Sequence, residues 1–101
     1  MKISINAISF KPDLELEEFI KSKIEKTAHL FDGVIGSDVI LKVDKKQAVK
    51  NKITEIRFEV PGYDLFAKKQ ANTFEEATDL SIDALRKQLL KRKDKIKGKR
   101  P

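Results

Sequence analysis

The 101-residue chain contains no cysteine, which excludes disulfides and thiolate-held metal centres. Its single histidine, His29, lies beside Leu30 and Phe31 at the end of a helical pattern. Nucleophilic catalysis needs a base beside a nucleophile, and no such motif surrounds His29, which reads as a helix-end residue satisfied by the last carbonyls. The glycines stand singly at 33, 36, 62 and 98, so there is no glycine-rich loop to cradle a phosphate. No spacing of His, Asp and Glu fits a metal site, and the carboxylates gather at helix starts, where capping explains them. Apolar runs fall well short of the ~18 residues of a membrane span. Residues 2–10 alternate polar and apolar, unlike a secretory leader. These absences predict a cytoplasmic protein that is not an enzyme and uses no cofactor, metal, small-molecule substrate or membrane.

What is abundant is charge. Charged residues make up 38% of the chain and hydrophobic ones 40%, enough for one small core without staples. The net charge of +6 is unevenly placed. Residues 1–83 carry 13 Lys/Arg against 15 Asp/Glu, a balance of −2, and residues 84–101 carry 9 against Asp94 alone, a balance of +8. One or two cations would suit the negative end of a helix dipole. Nine exceed that role and point to a polyanionic partner.

The pattern along the chain predicts six elements. Ile3, Ile5 and Ala7 alternate on a first strand over 2–7. Asp13 is a good N-cap, and Leu16, Ile20, Ile24, Ala28 and Phe31, thickened by Phe19, form the apolar stripe of a helix over 14–31. Asp32-Gly33 stops that helix. Val39, Leu41 and Val43 mark a second strand; a polar, basic connection runs from Asp44 to Lys52; Thr54, Ile56, Phe58 and Val60 mark a third strand. After the turn signal Pro61-Gly62, Leu65 and Ala67 alternate in a weaker fourth strand, whose Lys68 and Lys69 suit an exposed edge. Thr73 and Glu76 form a capping box for a second helix that buries Phe74, Ala77, Thr78, Ser81, Ile82, Leu85 and Leu89 and is ended by Gly98 and Pro101. The order β-α-β-β-β-α predicts an α+β two-layer sandwich with a four-stranded mixed sheet. The first two strands are parallel through a crossover, and both helices cover one face, the topology of a double-stranded-RNA-binding domain with an added first strand. Residues 1–101 read as one domain with a basic C-terminal helix and a short tail.

Cations form a ladder on the second helix. Arg86, Lys87, Lys91, Arg92 and Lys95 follow the buried stripe, and Lys87, Lys91 and Lys95 share a face at i, i+4, i+8. Like charges at this spacing repel by a few tenths of a kcal/mol per pair, which a bound polyanion relieves. Lys23 and Lys26 give a second row, and Lys45, Lys46, Lys50 and Lys52 a third cluster. Such contacts to phosphates dominate affinity and carry little sequence information. Phe10, Phe19, Phe31, Phe58 and Phe74 are placed in the core or at helix ends, which leaves Phe66 and Tyr63 for the surface, where edge packing is the simpler reading. Recognition is then by shape and backbone, as for structured RNA, and not by stacking of splayed bases.

Several segments, taken in order, resemble the ribosome hibernation-promoting factors, also called ribosome-associated translation inhibitors and formerly sigma-54 modulation proteins. They are Ile3-Ser-Ile, Lys23-Ile-Glu-Lys26 with Phe31-Asp32, Val39-x-Leu41, Val60-Pro-Gly-x-x-Leu65-x-Ala67, and Asp83-Ala-Leu85-Arg-Lys87-Gln-Leu89. The resemblance implies binding to the small ribosomal subunit and its 16S-type RNA near the decoding centre. There the protein blocks messenger RNA and tRNA and keeps ribosomes inactive under stress. It places Lys23, Lys26, Lys87 and Lys91 at basic family positions, with Lys68 and Lys69 as further candidates beside Arg86, Arg92 and Lys95 of the ladder. Arg86 stands where the family usually has an acid. Longer relatives carry a second, ribosome-pairing domain that this sequence does not show, and the free protein is expected to be a monomer. The alternatives from other classes are a general structured-RNA-binding protein and a sigma-factor-associated regulator.

Overall fold

The computed structural model describes residues 1–31 and 33–98, with side chains described as far as Lys91. Its elements are β1 (Lys2–Ala7), α1 (Leu14–Leu30), β2 (Gly36–Val43), β3 (Lys52–Val60), β4 (Tyr63–Ala71) and α2 (Phe74–Gly98). The strand order is β1-β2-β3-β4, with β1 parallel to β2 and the other pairs antiparallel. The α+β sandwich expected from the pattern is the fold observed.

Local chemistry accounts for the element boundaries. The Asp13 carboxylate accepts from the Leu16 N–H at 2.8 Å and Thr73 Oγ1 from the Glu76 N–H at 3.0 Å, satisfying donors that a helix start leaves free. Pro61 and Gly62 join β3 to β4, with Gly62 at φ +88°, a backbone angle that penalises a side chain. α1 ends at Leu30, one residue short of the predicted Phe31, which is the extended C-cap; Asp32 lies outside the described residues.

The core is one cluster between helices and sheet, built from Leu16, Ile20 and Ile24 of α1, Val39 and Leu41 of β2, Ile56 and Phe58 of β3, and Ile82, Leu85 and Leu89 of α2. Three details differ from the pattern. Thr27, not Ala28, fills the fourth turn of the α1 stripe, its hydroxyl donating to the Lys23 carbonyl at 2.9 Å and so offsetting the cost of burying it. β4 is not a weak strand; it runs nine residues, as long as β3, pairing as far as Ala71. Ile53 is buried although alternation puts it on the open face, where Lys42 and Gln70 are its cross-strand neighbours.

α2 lies back along β3 and β4. At one end the Thr54 and Thr78 hydroxyls meet at 3.3 Å, and further along Gln88 Nε2 donates to the Phe66 carbonyl at 2.9 Å. Both helices therefore start at the end of the sheet that carries the β2–β3 loop and run toward the opposite end.

Candidate nucleic-acid interface

The two helices run side by side, and their facing turns make a shallow cleft of about 250 Å³ lined by Lys23, Lys26 and Leu30 of α1 and Asp79, Asp83 and Arg86 of α2. The stripe Leu16, Ile20, Ile24 anchors α1 and the stripe Ile82, Leu85, Leu89 anchors α2. Helical geometry then carries the residues between these stripes to the rims of the cleft. The structure thus brings together Lys23, Lys26 and Arg86, predicted separately from two helices 60 residues apart in sequence.

Acids temper this cleft. Lys23 Nζ lies 3.2 Å from Asp79 and also 5.4 Å from the centre of the Phe19 ring, a cation–π contact. Lys87 Nζ lies 3.5 Å from Asp83 one turn earlier on the same helix. Lys26, Arg86 and Lys91 have no carboxylate within ion-pair distance among the described residues. Sequence reasoning missed Asp79 and Asp83. The i, i+4 spacing of Asp83 and Lys87 could have pointed to the second, whereas the Lys23–Asp79 pair depends on how the helices align.

Lys87 and Lys91 extend the basic row along the exposed side of α2. Arg92 and Lys95 belong to the helical backbone, but their side chains lie outside the described residues. Lys68 and Lys69 are not part of the helix groove. They sit on the edge strand β4, Lys68 across from Glu55 and Lys69 across from Thr54.

The open face of the sheet carries a different chemistry. One row crosses all four strands as Ser4, Asp38, Arg57 and Phe66. The Ser4 hydroxyl donates to Asp38 at 2.7 Å, Arg57 donates to the other Asp38 oxygen, and Arg57 reaches Asp64 at 3.4 Å. The Ser4 hydrogen bond, then the Arg57 guanidinium, hold the Asp38 carboxyl below the usual carboxylate range, and Asp38 in turn raises Arg57. Phe66 is 52% exposed beside this network, so edge packing does not cover it, while Tyr63 is half-buried against the core. On this face the charges of Asp38, Arg57 and Asp64, and those of Lys42 and Glu55, are mutually satisfied. Among the described residues no group of His, Asp and Glu is arranged to hold a metal, and no helix is long and apolar enough to cross a membrane.

Comparison with known proteins agrees with the fold and extends it. Residues 3–97 match the family described as Sigma 54 modulation protein / S30EA ribosomal protein. The Ribosome hibernation promoting factor of Escherichia coli K12 is 30% identical over 97 residues, covering 96% of this chain and 98% of that protein. The protein of the same name from Azotobacter vinelandii is 30% identical over 105 residues, covering 100% and 94%. A ribosomal subunit interface protein from Coxiella burnetii superposes with a TM-score of 0.76 at 21% identity, over 93% of this chain and 99% of that one. The N-terminal domain of Thermus thermophilus Protein Y does so with 0.74 at 18% identity, over 88% and 96%. The first three of these carry the names of ribosome proteins and none the name of an enzyme, in line with the non-catalytic character expected from the residues. Matched over nearly its whole length, the chain belongs to the Sigma 54 modulation protein / S30EA ribosomal protein family.

Proposed function

We propose that the protein binds the small ribosomal subunit through the basic faces of α1 and α2, near the decoding centre, and holds ribosomes inactive by blocking messenger RNA and tRNA. The observation that carries this reading is the convergence of Lys23, Lys26 and Arg86 on one cleft, prolonged by Lys87 and Lys91. Full-length relatives named for ribosome hibernation support it. The ligand is 16S-type RNA, gripped by its phosphates, with Arg92 and Lys95 continuing the row beyond the described side chains. The chain acts as one cytoplasmic domain, monomeric when free.

Contact with phosphates releases counterions, so affinity for isolated small subunits falls as salt rises, with a log–log slope of about 0.7–0.9 per phosphate neutralised. Sedimentation of the protein with small subunits across a salt series tests this. A slope of several units is expected, and a flat dependence removes the mechanism.

The family description also mentions sigma 54, which favours a protein-binding reading. A surface for a protein partner needs contiguous exposed apolar area. Leu80 and Leu90 are 43% and 48% exposed on α2, but Asp83 and Lys87 occupy the same helical face between them. The RNA reading is the better supported.

A further inference from the structure

The third group of lysines, on the loop between β2 and β3, takes no part in the helix groove. The loop is held in one shape by its own hydrogen bonds. The Asp44 N–H donates to the Asn51 carbonyl at 2.8 Å, and Asn51 Nδ2 donates to the Gln47 carbonyl at 3.3 Å. Asp44 accepts from the Lys46 N–H at 3.0 Å and from Gln70 Nε2 at 3.2 Å, tying the loop to β4. The Lys46 N–H, then Gln70, hold the Asp44 carboxyl below its ordinary range. Lys50 has φ +52°, an uncommon angle for a residue with a side chain, and its N–H donates to Asn72 Oδ1 at 3.1 Å.

This ordered loop presents cations that form no ion pair, although the Asp44 carboxylate of the clip lies near Lys46 and Lys68. Lys45, Lys46 and Lys50 are exposed, as are Lys68 and Lys69 on the adjoining edge of β4. Among the described residues none of the five has a carboxylate within ion-pair distance, in contrast to Lys23, Lys42, Arg57 and Lys87. The acids in the first turns of α1 and α2, which start at this end, do not pair with them.

Position separates this cluster from the helix groove. α2 starts beside the loop and runs away from it. At 1.5 Å per residue Arg86 of the groove lies about 18 Å, and Lys91 about 26 Å, farther along the axis than Phe74. The molecule is 52 Å long, with the loop toward one end and the basic half of α2 toward the other.

We propose that the β2–β3 loop, through Lys45, Lys46 and Lys50 with Lys68 and Lys69 beside them, is a second RNA-backbone site that grips a phosphate strand distinct from the one held by the helices. The protein then bridges two RNA segments on the order of 20 Å apart, a distance set by how far along α2 the groove cations lie. A loop already fixed in shape loses little further entropy on binding. The inference rests on the ribosome-binding reading and adds to it the second contact.

The test compares the full chain with the triple variant Lys45→Gln, Lys46→Gln, Lys50→Gln, measuring Kd for isolated small ribosomal subunits across a salt series, with thermal melts alongside. The variant is expected to melt like the parent and to show a log–log slope shallower by about two to three, with affinity at physiological salt down by tens- to hundreds-fold. Asn72→Ala, which unties the loop and keeps its charge, is expected to retain the slope and lose several-fold in affinity. If the parent binds steeply and the triple variant matches it in slope and Kd, the loop site is overturned while ribosome binding stands. If the parent itself does not bind, both fall.

Discussion

Lys23 of α1 and Asp79 of α2 face each other at 3.2 Å across the cleft between the helices, both about half exposed. The pair joins the helices and also occupies a cation that the proposed function needs. Because exposed pairs contribute only about 0–1 kcal/mol to stability, the acid is worth more as a brake on anion binding than as a fastener.

Asp79→Asn is therefore expected to leave the melting temperature within a few degrees and to tighten binding to small subunits several-fold, with a salt slope steeper by about one as Lys23 becomes available. Asp83→Asn should act in the same direction through Lys87. Titration of both variants against the parent checks this; weaker binding of Asp79→Asn would show that the acid orients Lys23 instead of masking it.

Fold and binding separate within α2. Leu85 is fully buried, and Leu85→Ala should cost about 2–5 kcal/mol, enough to unfold a large fraction of a domain this small. The sequence pattern suggests that reversing Lys87 and Lys91 to Glu relieves repulsion and leaves the melting temperature nearly unchanged or slightly raised. The Lys87–Asp83 pair changes that expectation, because the reversal sets acids at positions 83, 87 and 91, each one turn apart, at a cost of a few tenths of a kcal/mol per pair. The double variant should then melt slightly below the parent and lose ribosome binding by orders of magnitude, as read by a melt and a sedimentation assay on the same sample.

Between β3 and α2 a small polar group is sealed from water. Thr54, Thr78 and Ser81 are fully buried; the two threonine hydroxyls meet at 3.3 Å, and Ser81 donates to the Thr54 carbonyl at 3.1 Å. Thr54→Val strands the Thr78 hydroxyl and should cost about 1–3 kcal/mol. Adding Thr78→Val should cost no more, because both partners are then apolar and the shape is kept. Chemical denaturation of the two single variants and the double one measures the coupling.

The acid limb of stability reports on the open face of the sheet. The folded chain holds Asp38 below its ordinary pKa, so its contribution is fully present above the unfolded value near 4 and is lost as pH falls through the folded value. Melting temperature followed from pH 6 to pH 2 should fall less steeply below about pH 4 in Asp38→Asn than in the parent. Parallel curves would assign the acid sensitivity to other carboxylates.

Much of the fold was legible because local signals agreed with it. Asp13 and Thr73 cap the helices they were assigned, and the α1 stripe as far as Ile24 and the α2 stripe from Ala77 to Leu89 are buried as spaced, while Ala28, Phe31 and Phe74 are only partly buried. What escaped depends on contacts distant in sequence. Thr27 is tolerated in the core because its hydroxyl has the Lys23 carbonyl to bond, which composition does not reveal. The last residues of β4 carry no alternation, since Lys68, Lys69 and Gln70 are all exposed on an edge strand, and backbone pairing to β3 alone extends it. At the candidate site the cations of each helix were readable one helix at a time. Their joining in one cleft, and the acids set among them, follow from the alignment of α1 against α2.

The most direct test of the central claim is competition on isolated small subunits, with the protein bound at physiological salt and messenger RNA with initiator tRNA added in increasing amounts. Occupation of the decoding region predicts that the protein is displaced as tRNA binds, with the two never on one subunit together. Simultaneous binding of both, each with its affinity unchanged by the other, would contradict the account.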